Sequence, residues 1–124
     1  MDQSKAVIHC SDSPQGRGDT AETIHKWHKE RGWDGIGYHY VILEDGTVQA
    51  GRPVYWSGAH ARGHNDKIGI CLIGKDNFNE DQFEALYKLL DDLEIDEIFG
   101  HYELDSNKSC PNIDMDWLRA MWES

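Results

Sequence analysis

The chain has 124 residues, 39% of them hydrophobic and 28% charged, a composition typical of one globular domain rather than a disordered segment. Its 12 basic and 23 acidic residues give a formal net charge of −11, so the surface repels nucleic-acid phosphates and anionic membranes. No apolar run approaches the roughly 20 residues that span a bilayer. We therefore expect one domain over residues 1–124, with no general nucleic-acid binding and no membrane contact.

The N-terminal stretch MDQSKAVIHC has no basic segment followed by a long apolar core, so we expect no secretory signal. The chain is accordingly expected in the cytoplasm until something releases it. Its three cysteines, Cys10, Cys71 and Cys110, are an odd number, which argues against a disulfide framework. At least one of them is expected to act as a free thiol or a metal ligand.

Strand and helix patterns alternate along the first half of the chain. KAVIHC predicts a buried strand, after which Asp19 and Glu22 predict the start of a helix that runs to about Arg31. YHYVIL and TVQAG predict two strands, and the Asp-Gly pair in the EDGT between them is typical of a hairpin turn. RPVYWSGAHARGHND then predicts a long loop, rich in aromatic residues and histidine, of the kind that often carries function.

The second half begins with IGICLIG, a continuous apolar run that predicts a central strand buried on both faces. Asn79 predicts the start of a second helix, EIFGH a short strand, and Asp114 the cap of a last helix. Strands that alternate with helices, together with one hairpin, predict an α/β domain. We expect a central mixed sheet flanked by about three helices.

Three residues near predicted strand ends are candidate metal ligands. His9 closes the first strand, His101 follows the last one, and Cys110 lies nine residues after His101. Two imidazoles and one thiolate suit zinc, and three protein ligands leave one position open, as in catalytic zinc sites. From spacing alone, however, two packed histidines and one buried thiol are the better-supported interpretation, because the chain has seven histidines.

Two further residues suit amide hydrolysis beside such a metal. The Lys108 ammonium would stabilise the negative oxygen that forms when hydroxide attacks a carbonyl, an effect on the order of 3 kcal/mol. Tyr38 opens its predicted strand, where strict alternation places it on one face with Tyr40 and Ile42, and its phenol could bond the water or the oxyanion. A solvated loop lysine and an ordinary strand tyrosine are the alternatives. By the same alternation, we expect the Cys10 side chain to point away from His9 into the core.

Four blocks, VIHCSDSP, WHKERGWDGIGYHYVILEDGTVQAGR, GAHARGHNDKIGICLIG and GHYELDSNKSCPNID, together resemble the zinc-dependent N-acetylmuramoyl-L-alanine amidases. Within that family they are most similar to the small phage lysozymes of the T-seven type, which share a fold with the peptidoglycan recognition proteins. The resemblance extends from about Ala6 to Trp122. Because several motifs occur in the same order, it is far more specific than any one of them.

The resemblance implies a role for each matching position. The family's zinc ligands correspond to His9, His101 and Cys110, so it implies a Zn²⁺ cofactor. The family's two catalytic residues correspond to Lys108 and Tyr38. Three residues of the long loop match a segment that borders the substrate groove and are candidate substrate contacts: Trp56, His60 and Asn65.

The implied reaction is hydrolysis of the amide between N-acetylmuramic acid and L-alanine in peptidoglycan, by a phage endolysin that acts as a monomer. The first alternative is a module that binds peptidoglycan without cutting it, but non-catalytic relatives typically lack the zinc cysteine, and Cys110 is present here. A second is an amidase that also inhibits a phage RNA polymerase, which the short segment of eight residues before His9 does not favour. A third, a structural zinc domain, requires a fourth protein ligand.

Overall fold

The structure, a computed structural model, describes residues 1–124. It contains five strands and four helices. The strands are β1 (Asp2–Cys10), β2 (Tyr40–Ile42), β3 (Val48–Ala50), β4 (Lys67–Leu72) and β5 (Glu97–Gly100). The helices are α1 (Ala21–Glu30), α2 (Glu80–Asp92), α3 (His101–Leu104) and α4 (Met115–Glu123).

All five strands form one mixed sheet in the order β3-β2-β4-β1-β5. β4 lies in the middle, parallel to both β1 and β2, which explains why its sequence is apolar without interruption. β5 pairs in parallel with β1, and β3 pairs antiparallel with β2 as the return strand of the hairpin. The predicted mixed α/β domain is confirmed. None of its helices has the length and apolar character needed to cross a membrane.

The helix starts follow capping chemistry, with one correction to the sequence prediction. Asn79 caps α2, where its side chain accepts from the Gln82 amide at 3.0 Å, and Asp114 caps α4, as expected. In α1, however, the cap is Thr20 rather than Asp19. The Asp19 carboxylate instead forms a salt bridge with Arg17 at 2.9 Å, which leaves the next residue to cap the helix.

Side chains that alternate across the sheet create two different faces. One face, here called the apolar face, packs against α2 and α4 through a cluster of twelve buried residues. The other packs against α1 through only five buried hydrophobic residues, and its remaining interior holds four buried histidines. We call this second side the histidine face, after His9, His28, His39 and His60.

Tyr38 lies on the histidine face, where it packs against the cluster that contains Val41. Its predicted grouping with Tyr40 and Ile42 is therefore wrong, since those two residues belong to the apolar face. The reason is that β2 begins only at Tyr40, so the strict alternation of a strand does not extend back to Tyr38.

Candidate metal centre and active site

The register of the sheet brings two candidate ligands together. In the parallel ladder between β1 and β5, Ile8 pairs with Gly100, so the next residues along the two strands are His9 and His101. Their ring centroids lie 4.6 Å apart. His101 is also the first residue of α3, a single turn whose start is held because the Glu103 carboxylate accepts from the Gly100 amide at 2.8 Å.

Cys110 reaches the same point through the loop that follows α3. The Tyr102 amide donates to the Cys110 carbonyl at 2.9 Å, and the Met115 amide donates to the Tyr102 hydroxyl at 3.1 Å, so Tyr102 ties the loop to α3 and α4. The amide of Cys10, the last residue of β1, donates to the Cys110 Sγ at 3.0 Å. The thiol is therefore fixed beside the end of the strand that carries His9.

One ligand atom from each of His9, His101 and Cys110 lies within 4.8 Å of the other two. Ligand atoms around one tetrahedral zinc ion are about 3.6 Å apart, so this spacing suits a shared ion, and two imidazoles with one thiol are ligands that zinc prefers. No fourth histidine, cysteine or carboxylate joins the group. That composition matches a catalytic site with an open position and does not match the closed, four-ligand site of a structural zinc domain.

Burial keeps both imidazoles in the uncharged form that metal ligation needs. It lowers the pKa of His9 well below its ordinary value, with His60 and His101 adding to the shift. Burial, followed by the charge of Lys108, lowers the pKa of His101. The neighbouring Cys10 thiol and burial raise the pKa of Cys110, so metal binding has to displace a proton from this sulfur.

Tyr38 and Lys108 lie beside the ligands. The Tyr38 ring centroid is 5.0 Å from that of His9, and burial raises the pKa of its phenol well above the ordinary value, so the hydroxyl is a hydrogen-bond donor at neutral pH. Lys108 is exposed, and it lines the same cleft of about 380 Å³ as His101 and Cys110. The site can therefore present a metal, an ammonium and a phenol to one substrate group.

Two of the three candidate substrate contacts, His60 and Asn65, line a cleft of about 400 Å³ together with His101 and Lys108, whereas Trp56 lies elsewhere. His60 lines the metal cleft but is buried, and Asn65 uses its side-chain oxygen to accept from the His60 and Ala61 amides at 2.8 and 2.9 Å. Trp56 is 57% exposed and lines a separate cleft of about 490 Å³ beside α1, which holds none of the metal ligands. Contact with substrate stays a prediction for all three.

Sequence reasoning missed several residues of the cleft. Cys10 is buried as expected, yet it contacts Cys110 and Asn112 at the metal site instead of entering a hydrophobic cluster. Arg31 and Trp33, exposed residues after α1, also line the cleft. The sequence places Arg31 at the predicted end of the first helix and Trp33 just beyond it, but no feature of the sequence indicates that this helix end borders the metal ligands.

An α/β sheet with two histidines at the ends of adjacent parallel strands, and a cysteine brought beside them by the loop after α3, defines the chain as a candidate metallohydrolase. The N-acetylmuramoyl-L-alanine amidase family matches residues 2–113. The endolysin of Escherichia phage T7 is 37% identical over 129 residues, which cover 94% of this chain and 83% of that protein. The chain belongs to the N-acetylmuramoyl-L-alanine amidase family, and it is an enzyme of that class.

Solved structures give the same result. The endolysin N-acetylmuramoyl-L-alanine amidase LysCS from Clostridium intestinale URNW has a TM-score of 0.83 and 29% identity, over 97% of this chain and 83% of that one. A complex of peptidoglycan recognition proteins LCa and LCx with bound tracheal cytotoxin has a TM-score of 0.78 and 28% identity, over 87% of this chain and 75% of that one. The expected amidase fold, shared with peptidoglycan recognition proteins, is confirmed.

Proposed function

We propose that this amidase is a phage endolysin that uses one zinc ion, held by His9, His101 and Cys110, to cleave the amide between N-acetylmuramic acid and L-alanine of peptidoglycan. The observation that carries the proposal is the group of three ligand atoms within 4.8 Å of one another at the edge of a cleft. When bound there, zinc acidifies a water molecule and polarises the substrate carbonyl. The enzyme would act on the cell wall after release from the cytoplasm.

The two remaining site residues would handle charge and protons. Lys108, exposed at the cleft surface, would place its ammonium against the negative oxygen of the tetrahedral intermediate. Tyr38 would orient the attacking water or the carbonyl through its hydroxyl, a hydrogen-bond donor whose pKa is raised by burial. Either residue, or a water, could return a proton to the leaving amine.

The cleft that holds these residues is the proposed site for the muramyl peptide. The structural neighbour with bound tracheal cytotoxin, which shares the fold at a TM-score of 0.78, supports the binding of such a ligand by this chain. His60 would form part of the wall of this cleft, and Asn65 would position that wall through its hydrogen bonds to the His60 and Ala61 amides. Trp56 would extend the contact along the peptidoglycan strand. A polymerase partner stays the unsupported alternative, and we expect a monomer.

A module that binds peptidoglycan without cutting it is the rival from another functional class. Mass spectrometry of meso-diaminopimelate-type peptidoglycan separates the two. Incubation with zinc-loaded protein is expected to release stem peptides with a free L-alanine N-terminus, and a chelator is expected to abolish the release. Intact peptidoglycan that co-sediments with the protein would support the binding module instead.

Cys110→Ser tests the ligand assignment directly. The variant is expected to lose both stoichiometric zinc and cleavage, because serine offers no soft thiolate. Cys71→Ala is the matched control, since it removes a buried thiol of β4 outside the donor group and is expected to retain zinc. Normal zinc content and normal cleavage in Cys110→Ser would contradict the assignment.

A further inference from the structure

His60 lies in a space that two glycines leave open. It is 9% exposed, and a Cβ atom added to Gly58 or Gly69 would lie 2.4 or 2.6 Å from the His60 Cδ2. Gly69 is in the middle of β4, where a glycine often marks the close approach of another group to the sheet. The ring is therefore packed against the histidine face beside His9, in an orientation that any side chain at Gly69 would disturb.

Both ring nitrogens of His60 are hydrogen-bonded within the protein. The Nε2 atom lies 2.9 Å from the Lys67 carbonyl oxygen, and the Nδ1 atom lies 3.0 Å from the Nε2 of His9. A carbonyl oxygen can only accept, so the Nε2 of His60 must carry a proton. In the uncharged ring, which burial favours, the Nδ1 atom is then an acceptor.

The tautomer of His9 follows from that of His60. Because the Nδ1 of His60 accepts, the Nε2 of His9 must donate, and the lone pair of the uncharged His9 ring is left on Nδ1. This Nδ1 atom makes no hydrogen bond within the protein, so it is the nitrogen that remains available to a metal. The Lys67 carbonyl, which accepts from His60, thus determines through His60 which nitrogen of the His9 ring carries the lone pair.

We propose that His60 is a positioning residue that holds His9 in the tautomer with a proton on Nε2, and so presents the His9 Nδ1 lone pair to the metal. The proposal rests on the zinc site of the proposed function. It also makes a hydrogen bond between His60 and substrate costly, since either ring nitrogen would have to give up its present partner. Hydrogen-bonded partners of ligating histidines act in this way in other metal sites, where their loss weakens metal affinity about 10–100-fold.

Nitrogen-15 NMR of the metal-free wild-type protein tests the tautomer before any residue is changed. Long-range correlations between ring protons and nitrogens distinguish a proton on Nε2 from one on Nδ1. The expected spectrum shows His9 and His60 both protonated on Nε2. A His9 ring protonated on Nδ1 would overturn the proposal, whatever its variants do.

Two replacements of similar size then separate the hydrogen bonds from packing. His60→Leu fills the space without polar atoms, whereas His60→Gln keeps one acceptor and one donor on a planar group. His60→Leu is expected to weaken zinc binding about 10–100-fold, measured by competition with a chelator, and to shift the His9 signals toward a mixture of tautomers. His60→Gln is expected to recover most of that affinity and the Nε2-protonated His9.

His64→Leu is the matched control, because His64 lies in the same loop but bonds the Lys67 ammonium at 2.9 Å and has no contact with the His9 ring. It is expected to leave zinc affinity and the His9 tautomer unchanged. Wild-type affinity and tautomer in a folded His60→Leu would overturn the proposal while leaving the zinc site intact. A wild-type protein that binds no zinc would instead overturn the proposed function.

Discussion

The two faces of the sheet are built in different ways. The apolar face buries a cluster of twelve hydrophobic residues under α2 and α4, and its stability comes from area removed from water. The histidine face has a cluster of only five, and it relies on hydrogen bonds to uncharged imidazoles. The His28 and His39 Nδ1 atoms each accept a backbone amide at 2.9 Å, from Gly37 and Gly69 respectively.

This contrast means that the apolar face mainly stabilises the fold, whereas the histidine face carries the proposed catalytic cleft. Apart from the His9 Nδ1 at the candidate metal centre, the buried side-chain nitrogen and oxygen atoms have hydrogen-bond partners, so the polar interior of the histidine face is satisfied rather than strained. Changes on the apolar face should reduce the free energy of unfolding while the site keeps its geometry. Changes at the cleft should reduce catalysis with little effect on the free energy of unfolding.

Leu118→Ala is expected to give the largest change in the free energy of unfolding. Leu118 is fully buried on the apolar face, so the lost contacts and the remaining cavity should reduce the free energy of unfolding by about 3 kcal/mol. Urea unfolding measures this loss. Met121→Ala, on the same helix but 44% exposed, should lose less than about 1 kcal/mol. Loss of zinc affinity in the folded Leu118→Ala protein would show that the two faces are coupled.

Lys108→Ala tests the opposite face. Loss of the ammonium should lower the rate of peptidoglycan cleavage about 100-fold, equivalent to about 2.7 kcal/mol of transition-state stabilisation. The free energy of unfolding should stay within about 0.5 kcal/mol of the wild type, because Lys108 is exposed. Lys75→Ala, another exposed loop lysine, is the control and should cleave normally. Equal rates in the two variants would remove Lys108 from the active site.

Much of the fold could be predicted because its signals are local. The apolar run at β4, the amphipathic pattern of α2 and the caps at Asn79 and Asp114 each depend on a few neighbouring residues. The meeting of His9 and His101 has a partly local signal, since the sequence predicts His9 at the end of a strand and His101 directly after one, and these strands are parallel neighbours. The single turn of α3, by contrast, is too short to show a helical period.

Two of the missed features depend on contacts between distant parts of the chain. The bond between His9 and His60 joins residues 51 positions apart, and it exists because Gly69, in a third segment, leaves room for the ring. The face of Tyr38 depends on where β2 begins in its pairing with β4. No local pattern encodes these two features. The cap of α1 is different, because the Asp19 salt bridge to Arg17 and the capping box of Thr20 with Thr23 are both local contacts.

The smallest expected effect concerns the acid sensitivity of the histidine face. Burial, followed by the charges of Arg31 and Arg52, lowers the pKa of His28 to about 4. Its ordinary value is about 6.5, so as the pH falls below 6.5 the unfolded chain takes up a proton that the native ring does not. The contribution of His28 to stability is therefore complete above pH 6.5 and is lost as the pH falls toward 4.

His28→Asn isolates this contribution, because an amide oxygen can accept from the Gly37 amide as the imidazole does, but cannot take up a proton. In chelator-treated protein, the free energy of unfolding of the wild type should fall about 1 kcal/mol more than that of the variant between pH 6.5 and 5.5. Titrating carboxylates cancel in this difference, and the chelator removes protons linked to metal binding. If the free energies of unfolding of the wild type and the variant fell in parallel with pH, His28 would have the same pKa in the folded and unfolded states. The uncharged imidazole would then not be what stabilises this part of the histidine face.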